Sequence, residues 1–219
     1  MTRGRLAATL LTALLALAPL PGAAGAGPTR EQALAALAND KDPDARRRGA
    51  MWLGETGVIA DAPRLVDALR DSDPVVRGIA ETALWELWSR SGDDATDRLF
   101  AVGVEQMRLH QPEAAAETFT RVIRQRPDFA EGWNKRATVY YILGDYRRSL
   151  ADCDEVMKRN PYHFGALSGY GMIYLHLNQP GQALDYFERA LGLNPNLRSI
   201  EETIDTLRGV LLERRKNAI

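Results

Sequence analysis

Apolar positions recur along most of the chain at intervals of three and four, the spacing of one buried helical face. In the carboxy-terminal half this pattern is itself periodic. Pro127, Pro161 and Pro195 are evenly spaced, and Gly103, Ala137 and Gly171 keep the same interval. So do Gln106, Tyr140 and Tyr174, as well as Ala115, Ser149 and Ala183, and Phe119, Cys153 and Phe187. Each unit predicts two amphipathic helices. In the middle unit the first runs about from Phe129 to Leu143, with Trp133, Ala137 and Tyr140 on one face. Gly144-Asp145 marks the turn, since glycine accepts the left-handed conformation that ends a helix. The second runs from Tyr146 to Arg159, with Leu150, Cys153 and Met157 inward. Pro161 stops it, because proline cannot continue the hydrogen-bond ladder. After Pro195, the positions Ile200, Ile204, Leu207, Leu211 and Leu212 predict a closing helix over 198–216 with a charged outer face.

The segment 28–90 keeps a different, slightly shorter period. Asp42-Pro43 and Asp73-Pro74 are separated by the same interval as Arg46 and Arg77, Gly49 and Ala80, and Leu53 and Leu84. Asp is expected to cap a helix there, with Pro in its first turn. A short apolar helix precedes each: Glu31 to Ala38, and Ala62 to Arg70. Residues 91–96 read as a junction. Trp85 and Trp88, at helical spacing just before it, are expected to pack between the two arrays, with an exposed binding patch as the alternative.

The unit Ala130-Glu131-Gly132-Trp133, Ala137, Tyr140-Tyr141, Leu143-Gly144-Asp145-Tyr146 and Asn160-Pro161 resembles the tetratricopeptide repeat, whose period is about 34 residues. The next unit matches through Gly171, Tyr174, Ala183, Phe187, Ala190 and Asn194-Pro195. The first is looser, with Leu99 in the Trp place and Gln106 in the first Tyr place. Cys153 replaces the usual aromatic and leaves a smaller side chain in the core. The Asp-Pro-x-x-Arg pattern over 28–90 resembles the short HEAT-like repeats related to those of bilin lyases; fold is carried over from that resemblance, and activity is not. Together the resemblances imply an all-α fold, a right-handed α-solenoid of antiparallel helix pairs, with two HEAT-like repeats over 28–90, three tetratricopeptide units over 97–197 and a capping helix over 198–216.

In tetratricopeptide arrays the first helix of each unit lines a concave groove that holds a partner segment. The resemblance implies that Phe100, Val104 and Met107, then Asn134, Thr138 and Tyr141, then Ser168, Met172 and Leu175 line it here, with Arg108 and Lys135 beside them. Members that grip a terminal carboxylate place Lys, Arg and Asn at several of these positions. Only Asn134 and Lys135 offer that chemistry here, and Phe100, Val104, Met107 and Met172 make the floor apolar. The expected partner is therefore a peptide or helical protein segment of apolar character, with Asn134 and Tyr141 bonding its backbone. Self-association, one groove taking another copy's closing helix, is the alternative. A junction this short is compatible with an open groove or with one partly covered by the first array.

Charge and composition narrow the function. The 219 residues carry a formal net charge of −1, which disfavours a nucleic-acid binder. Arg46-Arg47-Arg48 is a dense basic run, read as a solvated helix face. Arg3 and Arg5, the apolar run Leu6–Ala18, the breakers Pro19, Pro21 and Gly22, and the small residues Ala24-Gly25-Ala26 have the order of a secretory signal peptide over residues 1–26, cut after Ala26. Export to a periplasm or to the medium is the expectation, with no membrane span after cleavage. His110, His163 and His176 lack partners at metal-ligand spacing and are expected at the surface. Cys153 lacks an activating base and reads as an inert core thiol. Ser168-Gly169-Tyr170-Gly171 falls within a helix with no preceding strand, which excludes a phosphate cradle. Neither a cofactor nor a metal is implied, and the chain reads as non-enzymatic. A lyase- or transferase-type activity on the HEAT-like part is the catalytic alternative, and it lacks a competent cluster of residues.

Overall fold

The structure, a computed structural model, describes residues 28–39 and 41–216. The expected signal peptide lies outside the described residues. Eleven α-helices are formed among those residues, with no strand: α1 (Arg30–Leu37), α2 (Pro43–Thr56), α3 (Ala62–Ala68), α4 (Pro74–Trp88), α5 (Asp94–Arg108), α6 (Pro112–Gln125), α7 (Ala130–Ile142), α8 (Tyr146–Arg159), α9 (Phe164–His176), α10 (Pro180–Leu193) and α11 (Arg198–Lys216). From α5 onward each helix packs on the next in chain order, which makes the array an α-solenoid.

Local chemistry sets the helix ends. Asp42 and Asp73 cap α2 and α4, accepting from the amides of Asp44 and of Val75 and Val76, with Pro in the first turn of each helix. Asp93 caps α5 and Asp145 caps α8 in the same way. The turns within the three helix pairs use one device. His110, Gly144 and Asn178, each one repeat from the next, all adopt the left-handed conformation, at φ 55°, 74° and 54°.

Core packing within each pair follows a small-against-large rule. Gly103 lies under the ring of Phe119, so that a Cβ at Gly103 would fall 2.7 Å from it, and Gly171 lies under Phe187 in the same way. In the middle pair both partners change. Ala137 stands at the glycine place and Cys153 at the phenylalanine place, and both are buried.

Helices α1–α4 form their own core around Leu53, Leu65, Leu69 and Leu84, and that core continues into the solenoid through Trp85, Trp88 and Phe164. Trp88 stacks on His163 at 4.6 Å between centroids, and Trp85 meets Phe164 edge-on at 5.3 Å. The pair of tryptophans thus packs between the arrays. A polar seam runs beside it. Arg70 donates to the carbonyls of Gly192 and Leu193 at the end of α10, where a helix leaves acceptors unpaired. Asn196 donates to the carbonyl of Leu69 at 2.9 Å and accepts from Arg77 at 3.0 Å.

Two sequence expectations are corrected. Arg46 and Arg47 do not form a solvated face. Arg46 is 11% exposed and pairs with Asp71 at 2.6 Å, and Arg47 pairs with Asp73 at 2.5 Å. Both partners lie beyond α3 in the chain, so the cluster bridges α2 to the start of α4. His163 is not at the surface either: it is fully buried, beneath Trp88. His110 and His176 are exposed.

Candidate functional site

The first helices of the repeat pairs, α5, α7 and α9, carry the residues assigned to the groove. Their environments differ. On α5, Phe100 is buried against Phe119 and Phe129, at centroid distances of 5.7 and 5.3 Å, and belongs to the core. Met107 is half-buried beside that cluster, and Val104 is exposed. Arg108 is paired with Glu105 at 2.6 Å.

On α7, Asn134 and Lys135 are committed to a neighbour one turn back. Glu131 is buried, and both its oxygens accept from the Asn134 amide at 3.1 Å. The Lys135 ammonium lies 3.0 Å from the same carboxylate. The third partner is His163, whose Nε2 is 2.8 Å from Glu131 Oε2. His163 Nδ1 accepts the amide N–H of Ala166 at 3.0 Å and so caps α9. An Nδ1 that accepts carries no proton, so the proton sits on Nε2 and points at Glu131. Burial pushes the Glu131 pKa up, while the hydrogen bond with His163 and the charge of Lys135 push it down; the net is a carboxylate held below its ordinary range. Asn134 is thereby removed as a donor to a ligand, and the Lys135 charge is neutralised from within.

The remaining groove residues meet across one cleft. Asn134, Thr138 and Tyr141 of α7 face Gly165, Gly169, Met172 and Ile173 of α9, and Ala137, Ser149 and Cys153 close the bottom, enclosing about 200 Å³. Tyr141 is held edge-on to His176 at 5.2 Å and tilted to Tyr146 at 5.9 Å. Burial and the nearby Tyr146 raise its pKa, which keeps the phenol protonated and able to donate. Met172 is 40% exposed at the rim. Thr138 donates to the Asn134 carbonyl and Ser168 to the Phe164 carbonyl, so both hydroxyl protons are used along their own helices. Leu175 packs toward α11 with Ile204 and Leu207. The structure therefore brings Asn134, Thr138, Tyr141 and Met172 together at the cleft and leaves Phe100, Val104, Met107, Lys135, Ser168 and Leu175 outside its walls.

Sequence reasoning did not assign Glu131, Gly165 or Gly169 to this region. For the glycines a signal existed, since two of them fall on the inward face of α9 beside a shortened core residue, Cys153. For Glu131 none did, because an acidic residue in the first turn of a helix reads as a solvated charge. The Cys153 thiol is pushed up to about 12 by burial and by the charges of Asp152 and Asp154, so it is unreactive at neutral pH. Among the described residues no group of three His, Cys, Asp or Glu side chains is arranged to hold a metal ion. No helix among them is long and apolar enough to cross a membrane.

With this geometry in place, likeness to known proteins is informative. The tetratricopeptide repeat family matches residues 101–163 and 134–197. A TPR repeat-containing protein of Rhizobium etli is 30% identical over 138 residues, which is 63% of this chain and 68% of that protein. The chain belongs to the tetratricopeptide repeat family. Among solved structures, the Sgt2 TPR domain from Aspergillus fumigatus aligns with a TM-score of 0.54 at 17% identity, over 58% of this chain and 85% of that one. The first TPR of Spaghetti (RPAP3), bound to the HSP90 peptide SRMEEVD, aligns with a TM-score of 0.51 at 20% identity, over 53% of this chain and 93% of that one. At these identities the structural likeness speaks to fold.

Proposed function

We propose that this chain is an exported, non-enzymatic adaptor that binds a protein segment in the groove between α7 and α9. The observation that carries this reading is the cleft itself. It is open at Met172 and Tyr141, apolar at its base, and held in shape by the Glu131–His163 pair behind it. Family membership supports a protein ligand, and the solved relative with the HSP90 peptide holds one. The ligand here is of a different kind. That peptide is acidic, whereas Lys135 and Asn134, the residues able to grip a carboxylate, are spent on Glu131. An extended or helical segment of apolar character, bonded through its backbone by Tyr141, fits the groove better. Helices α1–α4, read as two HEAT-like repeats, act as a buttress that fixes the start of α9 and leaves this strip free.

Capture from an envelope extract with tagged full-length chain tests the proposal. Tyr141→Ala with Met172→Ala is expected to abolish partner capture while leaving the helical circular dichroism and unfolding midpoint near wild type. Unchanged capture by the double variant would sink the groove assignment. Export rests on residues 1–26 alone. Expression of the full chain in a bacterial host, followed by amino-terminal sequencing of the envelope fraction, is expected to give a chain starting at Gly27; an intact start at Met1 contradicts it.

A second reading has one observation in its favour. Val210 and Leu212 on α11 are exposed at 41% and 54%, an apolar edge that a second copy would cover. Size-exclusion chromatography over a dilution series separates the two: a constant elution volume supports the adaptor, and a shift toward larger species at high concentration supports self-association.

A further inference from the structure

The cleft exists because the middle repeat breaks the small-against-large rule of its neighbours. A phenylalanine fills the space beneath the first helix in the pairs α5/α6 and α9/α10. In α7/α8 the same place holds Cys153, whose side chain is far shorter, and the methyl of Ala137 recovers only part of the lost volume. Across the groove, Gly169 adds no side chain. A Cβ built there would meet only the Cys153 sulfur, at 3.8 Å. The two truncations face one another and leave an indentation of about 200 Å³, below the roughly 300–1,000 Å³ of sites for drug-sized ligands. The space suits one side chain, not a cofactor.

We infer that this indentation is a specificity pocket which takes a single large apolar side chain, Leu, Met or Phe, from a neutral peptide segment lying along α7 and α9, and that Cys153 and Gly169 are the residues that determine its depth. The inference rests on the groove reading above and adds the anchor. Its chemistry follows from the walls. Ala137, Cys153, Ile173 and Met172 offer contact to hydrocarbon. Ser149 has its hydroxyl turned away to the Ala137 carbonyl, at 2.7 Å, and offers no free proton. Charge selects the segment as well: none of the residues lining the indentation is cationic, and the Lys135 ammonium on the same helix as Tyr141 is already paired with Glu131, so the walls offer an acidic anchor no counter-charge. Met172 at the rim is flexible enough to close over the inserted side chain.

A randomised 12-residue peptide display library panned on the full chain tests this, followed by calorimetry with the synthetic form of the tightest peptide. The expected result is a selected motif with one fixed Leu, Met or Phe and no enrichment of Asp, Glu or a free carboxylate. Truncating that residue of the peptide to Ala is expected to weaken binding by about 10-fold to 100-fold, the range for losing one buried large side chain. Gly169→Leu, whose side chain fills the indentation, is expected to cause a loss of the same size, and Gly169→Ala a smaller one. The losses from the peptide truncation and from Gly169→Leu should not add, because each removes the same contact between the anchor side chain and the pocket. The peptide truncation needs no altered protein, so it stands even where a variant folds poorly. Binding that is weakened by Tyr141→Ala with Met172→Ala but indifferent to Gly169→Leu overturns the pocket and leaves the groove intact. Selection of acidic peptides overturns the charge argument, and the absence of any selected peptide overturns both pocket and groove.

Discussion

The Nε2 atom of His163 lies 2.8 Å from Oε2 of Glu131, and neither side chain is exposed. The contact ties the start of α9 to the first turn of α7, while the flat face of the same imidazole carries Trp88 from α4. Three helices separated in sequence meet at one ring. A buried ion or dipole that loses its partner keeps its desolvation cost without compensation. His163→Ala is therefore expected to destabilise the chain by about 3 kcal/mol or more, since it strands Glu131, uncaps α9 and removes the stack on Trp88. Urea denaturation followed by tryptophan fluorescence measures this; a loss below about 1 kcal/mol would mean that the pair is not structural.

Acid should weaken the fold over a defined window. Asp73 is held down to about 2 by Arg47 and by the amides of Val76 and Val75, and Glu131 is also held below its ordinary range. A group depressed in the folded state stabilises it fully above the unfolded pKa, about 4, and that stabilisation is lost as pH falls toward the folded value. The thermal midpoint is expected to be flat from pH 7 to about 5 and to fall steeply between about 4 and 2. Asp73→Asn should lower the midpoint at pH 7 and flatten the acid slope. A variant whose pH profile runs parallel to wild type contradicts the assignment.

The small-against-large pairing predicts non-additive core variants. Cys153→Phe alone places a ring against the Ala137 methyl and is expected to cost about 1–3 kcal/mol, the usual range for overpacking. Adding Ala137→Gly recreates the arrangement of Gly103 under Phe119 and should recover most of the loss. The coupling energy from the four-protein cycle is expected to exceed about 1 kcal/mol; additive effects would remove the compensation account.

The left-handed turn positions give a further handle. His110 bears a side chain at φ 55° where the next repeat has Gly144 at φ 74°. A side chain in this region costs roughly 1–2 kcal/mol, part of which glycine returns through its freer unfolded chain. His110→Gly is expected to stabilise by about 0.5–1 kcal/mol, and Gly144→Ala to destabilise by about 1 kcal/mol. Thermal unfolding of both variants checks the opposed signs.

These features are unequally legible in the sequence. The repeat phase is plain, because Pro127, Pro161 and Pro195 follow helix ends at a fixed interval and the apolar face between them never slips. Ala137 and Cys153 are visible as departures, although their joint effect on volume needs the packing. The burial of His163 and Glu131 is not visible. It depends on Trp88, which stands two whole helix pairs before His163 in the chain, and on a carboxylate that local pattern assigns to solvent. Arg46 and Arg47 read as solvated for the same reason, since their aspartates lie on the far side of α3. Of the groove, the line of α7 and α9 is legible from the family pattern. Which of its residues stay free is not, because Asn134 and Lys135 are consumed by an internal partner.

Methyl NMR of the full chain with labelled methionines tests the groove most directly. Met172 stands at the rim of the cleft between α7 and α9, Met107 packs beside the Phe100 cluster on α5, Met157 lies on α8, and Met51 sits on α2 in the other array. Titration with the tightest display-selected 12-residue peptide is expected to shift the Met172 methyl most and to leave Met51 unmoved. Saturating binding that moves Met51 and leaves Met172 at its free position would place the ligand on the first array and contradict the account.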